Sequence, residues 1–175
     1  MNPFNSFQNY IAAQKTIGFY FSFLGIFLVV IAAVSNFYNP ENSLYNGLFI
    51  GCLTTGLLII LGGFFYRNFN GKLFISVESH YKKDKAIFLN NETSRMEKVI
   101  NDFSSLQFIF TFIIILAIGV IISFKNPYIL GISLAISLLF SGIMIIEAIS
   151  KSFIDHYYEE LLKAHSSNFI LQELD

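Results

Sequence analysis

Four stretches of this chain contain no Asp, Glu, Lys or Arg: Thr16–Pro40, Asn42–Tyr66, Phe103–Phe124 and Asn126–Ile146, each at least 21 residues long. A helix of about 20 apolar residues crosses a bilayer core, where every backbone N–H and C=O must bond within its own segment. The stretches are continuously apolar rather than alternating in segments of about ten, which selects helices over a transmembrane barrel. The expected fold is an all-α integral membrane protein, with four transmembrane helices over 17–36, 44–66, 103–124 and 127–149. Only 13% of residues are charged and 54% are hydrophobic, far from the roughly one quarter charged of soluble domains.

The first stretch exceeds the 7–15-residue core of a secretory signal and lacks an Ala-x-Ala-like cleavage site, so it reads as a span. Cys52, the lone cysteine, falls in the second stretch and reads as a small packing residue. Orientation follows from the basic residues. Lys15, Arg67, Lys72, Lys82, Lys83, Lys85, Arg95, Lys98, Lys151 and Lys163 lie on one side, and only Lys125 on the other. Both termini (1–16 and 150–175) and the middle segment (67–102) are therefore expected in the cytoplasm, with the chain multi-pass in the inner (plasma) membrane. Phe19, Tyr20, Phe64, Phe65 and Tyr66 inside, and Tyr38, Tyr45 and Tyr128 outside, fit interfacial aromatic belts.

The two outer turns share Phe-x-Asn-Pro, at Phe37–Pro40 and Phe124–Pro127. Proline suits the first helical position and Asn126 suits the cap before it. In the first copy, Asn42 or Ser43 could cap instead. Aligning the prolines makes the fold two tandem helical hairpins, and a three-residue gap then brings Gly47/Gly51 opposite Gly131/Ala135.

The middle segment reads as helical extensions. Asn70-Gly71 is expected to stop the second helix. Phe74, Val77, Tyr81 and Phe88 recur on one helix face, Asn90-Asn91 breaks the run, and Ser94-x-x-Glu97 is a capping box opening a helix with Met96, Val99, Ile100 and Phe103. The fourth helix is expected to continue to Ser166-Ser167-Asn168, with the apolar Asn168–Asp175 tail docked on the bundle or a partner. Together these make a cytoplasmic helical bundle beneath the membrane.

Small residues mark helix packing, because close backbone approach holds helices together in lipid. Gly18, Ser22, Gly25 and Ala32 form one such face. Gly47, Gly51, Thr54 and Gly62 form another, and Gly131, Ala135 and Gly142 a third. These serve intrachain packing or a homo-oligomer. On the opposite side of the fourth helix, Ser133, Ser137 and Glu147 lie within about 40° of a common line, with Ser141 near its edge. Lys151 continues that line. One reading is a pore lining gated by Glu147 and Lys151. The other is serines bonded to their own helix carbonyls and a Glu147–Lys151 pair. His80, Lys82, Lys83 and Lys85 form a basic cluster suited to anionic lipid or a nucleotide or oligonucleotide. His156, Glu159, Glu160, Glu78 and His80 match no metal motif, and neither a phosphate cradle nor a nucleophile triad is present. The chain calls for no enzyme activity, cofactor or metal.

By architecture the chain resembles the small multi-helix membrane effectors of bacterial stress and anti-phage systems, and heavy use of Phe, Ile, Asn and Lys fits an AT-rich microbial genome. The leading expectation is a homo-oligomeric channel or pore controlled from the cytoplasm. The alternative is a membrane adaptor or regulatory subunit anchoring a cytoplasmic protein.

Overall fold

A computed structural model describes residues 3–172, with side chains through Ser166. The described chain is all-helical: α1 (Pro3–Tyr38), α2 (Ser43–Lys83), α3 (Lys85–Ser123) and α4 (Pro127–Gln172). All four helices are long and apolar enough to cross a membrane. Only 6–28% of their most apolar windows is buried inside the chain, with α3 lowest. Most of that surface therefore faces outward, far more than a water-soluble monomer leaves exposed. Each helix, at 36 to 46 residues, also outlasts the roughly 20 needed to span.

The turns are short and locally determined. Asn42 caps α2, its Oδ1 accepting from the Leu44 amide at 2.9 Å. Asn126 does the same for Tyr128 at 3.0 Å, and Pro127 is the first residue of α4. The two Phe-x-Asn-Pro copies thus play different parts, since Pro40 lies in the turn ahead of Ser43. Asp84 alone separates α2 from α3. Its backbone N–H closes α2 onto the His80 carbonyl, and its Oδ1 accepts from the Ala86 and Ile87 amides at 2.8 and 3.1 Å.

Three expected interruptions are absent. Asn70-Gly71 lies inside α2, where buried Asn70 donates through Nδ2 to the Tyr66 carbonyl and no glycine has positive φ. Asn90-Asn91 and Ser94 lie inside α3, and Asn90 Oδ1 sits 2.8 Å from His165 Nε2. The fourth helix also passes Ser166 and reaches Gln172. Docking of the Asn168–Asp175 tail concerns side chains outside those described.

Two glycine faces set the core of the spans. Gly18 and Gly25 of α1 meet Gly63 and Gly56 of α2, so these helices run antiparallel with backbones in contact. The opposite side of α2 meets α4 in parallel: Gly47 lies on Tyr128, Gly131 on Leu44, and Gly51 on Ala135. Counted from the helix starts, Tyr128 is the counterpart of Leu44, Gly131 of Gly47, and Ala135 of Gly51. The contact is reciprocal between equivalent positions, as across a two-fold axis. Gly62, expected on the small face, has nothing within 4 Å of an added Cβ; Gly63 takes the packing role. α3 packs chiefly on α4 and touches α2 little.

Candidate functional site

At the Asp84 end, α1, α2, α3 and α4 close around an aromatic core. Phe7, Tyr10, Phe88, Met96, Tyr157 and Leu161 are buried there, with Phe4, Phe74 and Tyr81 packed against them. Phe4 stacks on Tyr81 at 4.7 Å and Tyr10 on Tyr157 at 4.7 Å between ring centroids. These rings come from the periodic positions of all four helices, so each extension is held by the other three.

An ion pair lies within this core. Glu92, only 3% exposed, accepts from Arg95 Nε at 2.9 Å and again from Arg95 Nη2. The Tyr157 hydroxyl donates to Glu92 Oε1 at 3.1 Å, and the guanidinium stands 5.6 Å from the centre of the Tyr10 ring. The carboxylate thus has three donors, which is what burying a charge demands. Burial opposes the Arg95 charge, but the hydrogen bonds and charge of Glu92 outweigh it and hold the guanidinium above its ordinary value. Burial raises the Tyr157 phenol, reinforced by Glu92, and also raises Tyr10 against the pull of Arg95.

These shifts have a sign. Unfolded tyrosines ionise near pH 10, whereas Tyr10 and Tyr157 stay protonated above it. The unfolded state then binds fewer protons, and stability falls as pH rises past about 10. Unfolding midpoints in detergent between pH 8 and 11 should show this fall, and Tyr157→Phe should flatten it.

One layer nearer the apolar spans, fully buried Gln14 joins three helices. Its Oε1 accepts from Tyr66 Oη at 2.7 Å and from Ser150 Oγ at 3.3 Å. Tyr66, expected in an interfacial belt, instead turns inward. Beside this junction lies a cavity of about 310 Å³ between α3 and the other helices. Tyr66, Asn70, Arg95, Asp102, Glu147 and Ser150 supply its polar wall; Phe21, Phe69, Phe103 and Leu106 are among its apolar lining. Glu147 Oε2 is buried and makes no hydrogen bond within the protein.

The residues singled out from sequence fall in three places: along α4, at the glycine contacts and around the Asp84 turn. Ser133 is buried, Ser137 bonds back to the Ser133 carbonyl at 2.9 Å, and Ser141 is exposed. Glu147 faces the cavity and forms no ion pair with exposed Lys151. Gly47, Gly51, Gly131 and Ala135 lie at the α2–α4 contact, and Gly142 against Leu24 of α1. His80, Lys82, Lys83 and Lys85 are exposed around the Asp84 turn, where Lys82 pairs with Glu78 at 2.8 Å and Lys85 stands 5.7 Å from the Tyr81 ring centre. Among the described residues, no three His, Cys, Asp or Glu side chains gather in a way that would hold a metal.

Sequence reasoning passed over Gln14, Glu92 and Arg95. An i,i+3 Glu-Arg pair reads as a solvated helix face, and only the rings of α1 and α4 bury it. The fold and site define a class, an all-α protein with four candidate membrane spans and a polar, aromatic-lined cavity at one end of them. No protein-family model matches the chain, nor does any curated protein or solved structure.

Proposed function

We propose that this protein is a multi-pass plasma-membrane adaptor, two tandem helical hairpins that hold a cytoplasmic helical bundle able to engage and regulate a cytoplasmic partner. The observation that carries this reading is the continuity of the helices. Each runs unbroken from its apolar window into the Asp84-end bundle, whose aromatic core and buried ion pair make it one packed body. A displacement of that body is transmitted to the spans without an intervening hinge. The basic residues at this end support its placement in the cytoplasm.

One feature supports a second reading, an oligomeric channel. α3 leaves most of its apolar window uncovered, and exposed Ser141 lies on α4, so several copies could enclose a path between them. Against it, Ser133 is buried within the single chain and the half-buried Ser137 hydroxyl bonds back to its own helix.

Two measurements separate the readings. With Cys52→Ala as background, Lys125→Cys should react with an impermeant maleimide in intact cells, and Lys83→Cys only after lysis. Reaction of the Lys83 site from outside reverses the orientation. Liposomes carrying the purified protein should then leak ions no faster than empty ones. A flux that falls in Ser141→Leu would establish the channel and reject the adaptor.

A further inference from the structure

We infer that the cavity between α3 and the remaining helices receives the ammonium head of an amphiphile entering sideways from the bilayer, with Glu147 as its counter-charge. The inference rests on the four helices spanning a membrane and goes beyond it in naming a ligand class.

Charge selects the head. Arg95, the cation on the cavity wall, is held by Glu92. Glu147 and Asp102 also line the wall, and neither has an ion-pair partner among the described residues. The uncompensated charge is therefore negative, and it favours a cation over a phosphate or carboxylate. Buried Glu147 Oε2 supplies an acceptor with no protein donor. Tyr66, Phe69 and Phe103 add ring faces, which attract ammonium groups within about 6 Å.

Position selects the tail. Phe69 of α2 and Leu106 of α3 line the cavity and are 63% and 41% exposed, so its mouth opens between two helices that barely touch. Phe69 lies just beyond the charge-free stretch ending at Tyr66, and Leu106 just within the one beginning at Phe103. That level is the boundary between headgroups and hydrocarbon. A volume of about 310 Å³ suits a head and not two acyl chains, which would remain in lipid.

The test uses the full chain in mild detergent, with dodecylamine as probe and 1-dodecanol and dodecanoate as controls of equal length. Dodecylamine should raise the unfolding midpoint where the controls do not, and Glu147→Gln should weaken its apparent affinity at least about tenfold. Leu106→Trp, which narrows the mouth and leaves every charge in place, should weaken it as well. Native mass spectrometry after extraction from mixed phosphatidylethanolamine and phosphatidylglycerol vesicles separates the sources. Glu147-dependent retention of phosphatidylethanolamine identifies an aminophospholipid; a dodecylamine effect without it identifies a single-chain amine. If dodecylamine acts no better than dodecanol and neither lipid is preferred, the inference is overturned. A chain recovered from cells without detergent would instead fail the membrane reading itself.

Discussion

Gly131→Ile should unfold the protein or lower its unfolding midpoint by roughly 6–12 °C, given an overpacking cost of about 3 kcal/mol and about 2–4 °C per kcal/mol for a chain of this size. A β-carbon at Gly131 would stand 2.5 Å from the Leu48 amide nitrogen and 2.9 Å from the Gly47 carbonyl carbon. Those atoms are helix backbone, which cannot rotate aside as a side chain can. The α2–α4 contact must therefore open, and with it the neighbouring Gly51–Ala135 approach. Gly62→Ala is the control, because nothing lies within 4 Å of a β-carbon there. It should leave the midpoint unchanged or slightly higher, as expected from helix propensity. Circular dichroism melts of both variants in one detergent decide the matter. Equal midpoints for wild type and Gly131→Ile would mean that α2 and α4 do not meet as described.

Removing Arg95 should be the most damaging change at the Asp84 end. Arg95→Ala leaves Glu92, 3% exposed, with only the Tyr157 hydroxyl to answer its charge. Breaking a buried pair from one side costs about 3–5 kcal/mol. Replacing both partners by apolar residues of similar volume is far milder, so Glu92→Leu with Arg95→Met should recover most of the loss. A double-mutant cycle from denaturant unfolding gives the coupling directly. A loss below about 1 kcal/mol in Arg95→Ala would be the behaviour of a solvated surface pair and would contradict the burial of Glu92. The same variants report on the adaptor reading. If the bundle is one packed body, Arg95→Ala should speed tryptic cleavage at Lys83 in the already exposed α2–α3 turn, by loosening the helices on either side, while the apolar windows stay helical.

Much of the architecture is legible without coordinates because it follows a one-dimensional rule. Each of four charge-free stretches of at least 21 residues is long enough to cross a bilayer, where a helix satisfies its backbone from within, and each is helical in the fold. The Asn126-Pro127 start is equally local, since one side-chain oxygen and one ring determine it. The apolar positions of the extensions were also readable: Phe74, Val77, Tyr81, Phe88, Met96 and Phe103 all join the aromatic core. Their interruptions were not. Stop signals such as Asn70-Gly71 and Asn90-Asn91 are preferences of about 1 kcal/mol per residue, and tertiary contacts override them. Asn70 is buried among the packed helices, its own side chain bonding back within α2 to the Tyr66 carbonyl, and Asn90 meets His165 of α4; the break falls instead at Asp84, whose carboxylate caps α3.

The site was less legible than the spans. Periodicity shows which residues share a face but not what that face meets. Glu92 and Arg95 have the spacing of an exposed pair, and Gln14 that of an ordinary polar residue near a membrane boundary. Packing of Tyr10 and Tyr157 over the first two, and of Tyr66 and Ser150 around the third, turned them into a buried network. The small faces show the same division. Composition along the chain determined that helices would pack through Gly and Ala, because only small residues allow backbones to touch. Which partner each face took, with Gly63 rather than Gly62 against α1 and Gly51 against Ala135, was decided by helix rotation in three dimensions, where a shift of one residue turns a side chain by about 100°.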